Sequence, residues 1–120
     1  MQDFQKNLNF QISHIGINNV PNGEAMESAL IFKRMFGFSV TDGKDSVFVS
    51  DKVEMMKEPG RGTHGHIAVG TSDIDCALNC LQQQGYEFDM DSKKYDEDGK
   101  LKVVYFKEEY SGFAVHLLQI

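Results

Sequence analysis

An internal repeat limits what this chain can fold into more than any other feature. Residues 12–17 read ISHIGI and residues 64–69 read HGHIAV. Both are short β-branched runs with a histidine inside, and each is followed by a turn and a helical pattern. The period is far longer than that of a solenoid, so each half is a supersecondary unit of its own. In the first half, Ala25, Met26, Ala29, Leu30, Phe32 and Phe36 recur at helical spacing after Pro21-Asn22-Gly23. Gly37 stands where a C′ glycine ends a helix. In the second half a helix begins at Ser72 or Asp73, where Ser72-x-x-Asp75 resembles a capping box. It carries Ile74, Ala77, Leu78 and Leu81 on one stripe and stops at Gly85.

Gly37-Phe38-Ser39-Val40 then corresponds to Gly85-Tyr86-Glu87-Phe88 as the approach to the next strand. Each half closes in a pair of strands, at 45–50 and 52–57 and at 101–107 and 113–120. The order is therefore β-α-β-β-β twice, in modules at 11–58 and 63–120 of a single domain spanning 1–120. Glu58-Pro59-Gly60-Arg61-Gly62 reads as the linker, since proline and two glycines break regular structure. The polar, acidic stretch from Glu87 to Lys100 reads as a solvated loop in its middle.

Composition narrows the classes of partner. Eighteen acidic residues against twelve basic ones leave a net charge of −6, which argues against nucleic-acid binding, where clustered Lys and Arg are needed. No apolar run approaches the length of a membrane span. The first residues, MQDFQKNLNFQ, show no basic segment followed by an apolar stretch, so a cytoplasmic location is expected. Cys76 and Cys80 are four apart in a helix, a spacing that neither closes a disulfide readily nor makes a zinc knuckle. They read as small core or half-buried side chains.

Strand alternation decides what the histidines can meet. In the first strand Ile15 and Ile17 share one face, and Ile12, His14 and Gly16 the other. In the strand at 64–69, Ile67 and Val69 oppose His64, His66 and Ala68. The closing strands align as Val53-Glu54-Met55-Met56 with Val115-His116-Leu117-Leu118. One face of each strand can bury aliphatic side chains against its module's helix. The other carries His14, Glu54, His66 and His116, which converge if the modules curl into one cup. Three imidazoles and a carboxylate suit a divalent Zn, Ni, Co, Mn or Fe ion. His64, beside the linker, is a candidate substrate contact. So is Arg61, whose guanidinium can take a carboxylate or phosphate bidentately.

These residues resemble a known superfamily. His14-Ile15-Gly16-Ile17, Gly65-His66-Ile67-Ala68-Val69 and Phe113-Ala114-Val115-His116-Leu117-Leu118-Gln119 look like the vicinal oxygen chelate group, over residues 11 to 120. That group includes glyoxalase I, methylmalonyl-CoA epimerase, extradiol dioxygenases and fosfomycin- and bleomycin-resistance proteins. The resemblance implies an α+β fold: two βαβββ modules forming an incomplete, cup-shaped mixed β-barrel with helices outside. Carried over by position, it implies metal ligands at His14, Glu54, His66 and His116. His116 is a departure, because glyoxalase I and the epimerase are expected to have a carboxylate there. Residues 65–69, Lys100-Leu101-Lys102, Tyr105 to Glu109 and Gly112 to Gln119 further resemble a glyoxalase-like domain appended to some bacterial 2-dehydro-3-deoxy-phosphogluconate aldolases.

Two functions follow from that resemblance. One is a divalent-metal-dependent lyase or isomerase acting on a small α-oxygenated carbonyl compound through an enolate or enediolate, with Glu54 as base and His116 as the alternative base. The other is a non-catalytic module that binds a sugar acid or accompanies the aldolase. Antibiotic sequestration is disfavoured, since there is no tryptophan to line an aromatic cleft. The small-molecule site is expected in a homodimer, with the cup formed either within a chain or across the dimer.

Overall fold

The structure, a computed structural model, describes residues 3–18 and 24–120. The turn expected at Pro21-Asn22-Gly23 lies outside these residues. The chain runs α1 (Asp3–Leu8), β1 (Gln11–Asn18), α2 (Ala25–Phe36), β2 (Val40–Asp42), β3 (Ser46–Val49) and β4 (Val53–Met56). It continues with β5 (Gly65–Thr71), α3 (Ile74–Gln83), β6 (Phe88–Tyr95), β7 (Leu101–Phe106) and β8 (Phe113–Gln119). The eight strands form one mixed sheet in the order β2-β3-β4-β1-β5-β8-β7-β6. In each half the first strand lies parallel to the last, β1 beside β4 and β5 beside β8. The halves meet antiparallel along β1 and β5. The sheet stays open at β2 and β6, and one chain builds the whole incomplete barrel.

Two cores hold the helices to the outer face. In α2, Ala25 and Ala29 are small enough to let the helix sit closely on Val47, Val49 and Met55. The helix ends where Gly37 turns left-handed, at φ 76°, and donates its N–H to the Lys33 carbonyl at 2.8 Å. In α3, Ile74, Ala77 and Leu78 pack with Phe88, Leu101, Val104 and Leu117. Its cap is Asp73, whose carboxylate accepts from the Cys76 N–H at 3.1 Å. Ser72 is not the cap, because its hydroxyl bonds the Leu8 carbonyl at 3.3 Å instead. That carbonyl ends α1, a helix not anticipated from the sequence. Leu8 is buried in the same core, and the buried Thr71 hydroxyl donates to its carbonyl at 2.7 Å. No helix among the described residues is long and apolar enough to cross a membrane.

Four expectations need correction. Ile15 and Ile17 are each 37 % exposed rather than buried, because α2 lies mainly over β2, β3 and β4 and leaves the central seam open. Ile12 does not share a face with His14. The β1–β5 register slips by one residue at Ser13, so Ile12 pairs with Val69 and His14 with the adjacent Ala68. The stretch after Glu87 is not mainly loop, since β6 runs through Lys94 to Tyr95. It is an edge strand in which only Phe88 and Ser92 are buried, so no apolar alternation marks it. Cys76 lies exposed, not in the core, with its sulfur 3.8 Å from that of the half-buried Cys80.

Leu117, at 1 % exposure, touches both helix and sheet in the second core. Leu117→Ala is expected to lower stability by about 2–5 kcal/mol, and Ile12→Ala by less than about 0.5 kcal/mol, as read from urea denaturation midpoints.

Candidate metal centre

The four side chains come together because of who pairs with whom. Gly16 of β1 lies between Glu54 of β4 and His66 of β5, its partners on either side. Ala68 lies likewise between His14 of β1 and His116 of β8. Laterally paired residues share a face, so all four candidate side chains rise from the concave side around two small residues. Glycine at 16 is a matter of room. A Cβ there would collide with the His66 ring, 2.6 Å from its Nε2 and closer still to Cε1 and Nδ1. Without it the imidazole lies across β1 and reaches the carboxylate beyond.

The distances are those of a coordination shell. His14 Nε2 is 3.4 Å and His66 Nε2 3.0 Å from Glu54 Oε1, and the two nitrogens are 3.3 Å apart. Ligands bound at about 2.1 Å to one ion are roughly 3.0–3.4 Å from each other, from octahedral to tetrahedral angles. The ligand atoms of His14, His66 and His116 all lie within 4.8 Å of one another. His116 sits slightly apart. Its Nδ1 is 3.0 Å from the Leu117 carbonyl, which makes Nδ1 the donor and leaves the lone pair on Nε2. Phe48 meets the His14 ring edge-on at 5.4 Å, and the Tyr105 ring lies 4.8 Å from that of His116.

Protonation favours the same use. Burial alone would raise the Glu54 pKa, but hydrogen bonds with His14, His66 and Ser46 outweigh it and hold the carboxyl well below its usual range. The Ser46 hydroxyl donates to Glu54 Oε2 at 2.6 Å. Burial pushes the His116 pKa down to about 4, against which its backbone hydrogen bond works only in part. The cluster thus presents an anionic carboxylate and, at His116, a neutral imidazole at neutral pH.

The remaining sequence candidates separate. Arg61 faces the concave side. Asn18 pins its linker, accepting from the Gly60 N–H and donating to the Gly62 carbonyl, both at 2.9 Å. The guanidinium lies 4.6 Å over the Tyr105 ring and 3.2 Å from Asp89 Oδ2. His64 does not share the face of His66. It precedes β5 and leans on Gly112 and on Phe113, with ring centroids 5.8 Å apart. Phe113 is three residues before His116 and so points to the other side of β8. Sequence reasoning missed Gly16 as a spacer, Ser46 and Tyr105. Alternation along the hairpin opposite Glu54 marks Ser46, and the pairing of Tyr105 with His116 marks Tyr105.

Two outcomes test this account. Gly16→Ala is expected to weaken Ni²⁺ or Zn²⁺ binding by at least about tenfold with an unchanged circular dichroism spectrum, because it displaces the His66 imidazole and not the fold. In the metal-free protein, the unfolded chain binds more protons than the folded one between about pH 4 and 6.5, since the folded His116 pKa is the lower. Stability is therefore expected to fall by roughly 3 kcal/mol as pH drops through that window, in denaturant titrations at each pH, and His116→Gln to flatten the slope. Glu54 adds a loss of the same sign at lower pH.

No protein-family model matches this chain. No curated protein matches it either. Solved structures do. A Streptomyces coelicolor methylmalonyl-CoA epimerase variant in complex with 2-nitronate-propionyl-CoA superposes with a TM-score of 0.62 at 18% identity, over 91% of this chain and 93% of that one. A hypothetical protein from Bacillus halodurans gives 0.65 at 14% identity, over 93% and 95%. The methylmalonyl-CoA epimerase of Mycobacterium tuberculosis gives 0.61 at 12% identity, over 90% and 86%. The chain has the fold of the solved methylmalonyl-CoA epimerases.

Proposed function

We propose that the protein is a divalent-metal-dependent isomerase or lyase acting on a small α-oxygenated carbonyl compound. His14, Glu54 and His66 hold the ion, and His116 moves the proton. The observation that carries this reading is the convergence of four donors from four strands, with Glu54 Oε1 and the two imidazole nitrogens 3.0–3.4 Å apart. A bound divalent ion supplies Lewis acidity toward the substrate's carbonyl oxygen. The imidazole and carboxylate set admits Zn, Ni, Co, Mn or Fe.

The two candidate bases divide by environment. Glu54 has its charge stabilised by three side chains, which suits a ligand and makes it a poor proton acceptor. His116 is neutral at neutral pH, its ring is fixed through Nδ1, and its Nε2 lone pair is uncommitted to the backbone. An imidazole thus does what a carboxylate is expected to do at the corresponding place in glyoxalase I and the epimerase. The name of the solved neighbours fits an isomerase-type reaction, and proton removal next to a carbonyl is common to isomerase and lyase outcomes. A cytoplasmic homodimer belongs to the same reading.

The test is elemental analysis of untagged protein, followed by α-deuterium exchange in D₂O across a panel of hydroxy ketones and hydroxy acids. About one ion per chain is expected, lost in His14→Ala and retained in His116→Ala, with exchange reduced about a hundredfold or more in the latter. An unmetallated protein after reconstitution, or exchange indifferent to His116→Ala, overturns the proposal. Saturable binding of a sugar acid without exchange would mark a binding module instead.

A further inference from the structure

A cavity of about 390 Å³ opens beside the histidine cluster, with His66 in its wall. Its other walls gather positive charge in a chain whose net charge is −6. Arg61, Lys93 and Lys94 line it, against one carboxylate, the exposed Asp91. The cations are not equivalent. Arg61 is already engaged, by Asp89 and by the Tyr105 ring. Neither Lys93 nor the exposed Lys94 has a carboxylate within ion-pair distance among the described residues, and the strand register separates the two.

The backbone places Lys94 deliberately. Asp89 pairs with Tyr105, and the next pair is Lys94 with Val103, so β6 spends five steps where β7 spends two. The extra chain is a bulge held by Ser92, whose hydroxyl donates to the Asp89 carbonyl at 2.6 Å and accepts the Tyr105 N–H at 2.8 Å. Val103 shares the face of Tyr105, which pairs with His116. The bulge therefore brings Lys94 back to the concave side. Its charge is felt at His116, as the least of the forces that disfavour protonation there, after burial, His66 and His14. An unpaired lysine, a fixed arginine and an aromatic wall, joined by one cavity to the histidine cluster, make a place for an oxyanion.

Resting on the function proposed above, we infer that Lys94, with Arg61 beside it, binds a second anionic group of the substrate, a carboxylate or phosphate remote from the carbonyl end. The substrate class is then an α-oxygenated carbonyl compound carrying a terminal anion. Lys94 is a specificity residue that touches this group, and Ser92 positions it.

Calorimetric titration separates the terms. Phosphoglycerate is compared with glycerate, and malate with lactate; each pair shares an α-hydroxy acid end and differs in a terminal anion. With wild-type protein at least one of the two members carrying the terminal anion is expected to bind about tenfold or more tightly than its counterpart, the phosphate or carboxylate pair showing which anion fits. In Lys94→Gln that ratio is expected to fall to about one, with metal content and binding of the shorter member unchanged. Lys102→Gln, an exposed cation on the neighbouring strand, removes the same charge and is expected to leave the ratio intact. The inference is overturned if neither pair discriminates in the wild type, if Lys94→Gln keeps the ratio, or if Lys102→Gln lowers it equally. Discrimination that survives in His14→Ala, while that variant fails to hold an ion, upholds the subsite independently of the metal reading, which metal content and exchange decide.

Discussion

The antiparallel seam between β1 and β5 is the contact on which the rest depends. It sets Gly16 against His66 and Ala68 against His14, and the flanking parallel pairs then deliver Glu54 and His116. A shift of one residue along this seam would send a whole strand's side chains to the other face. The one-residue bulge at Ser13 is such a shift confined to the strand's start, and it ends before His14. Because β1 and β5 belong to one chain, no second copy is needed to assemble the cluster.

The sheet divides its labour by face. Outside, two separate cores fasten one helix to each half. Inside, the buried polar groups satisfy one another: among the described residues, no buried side-chain nitrogen or oxygen lacks a partner. Glu54 is the pivot of that arrangement, since removing its charge would strand His14, His66 and Ser46 together. Mounting these groups on four adjacent strands fixes their geometry better than loops would. Arg61 is the exception, a linker residue made part of the site by Asn18 below it and by Asp89 and Tyr105 at its tip.

Much of this was legible in the chain. The doubled histidine motif and the doubled helix stop at glycine led to the repeat, and the repeat to the eight-stranded architecture. Alternation assigned His14, Glu54, His66 and His116 to one face. It failed at Ile12 and His64, where a bulge and an irregular strand start break the period of two. It failed again in β6, whose edge position removes the burial that leaves an apolar pattern. α1 carried no signal of its own, because six residues cannot stand alone as a helix and this one is held by Leu8 in the core of α3.

What the sequence determined by itself was local: which residues share a face, where helices stop, and which side chains are able to hold a metal. Those follow from backbone periodicity and side-chain chemistry, which act over a few residues. The tertiary structure decided the rest. It chose β1 and β5 as the joining strands, made Gly16 the space through which His66 reaches Glu54, and brought Ser46, Tyr105 and Lys94 to a site they do not border in sequence. The physical reason is that distances between strands depend on sheet order and on bulges. Both are set by pairing and packing across the whole molecule.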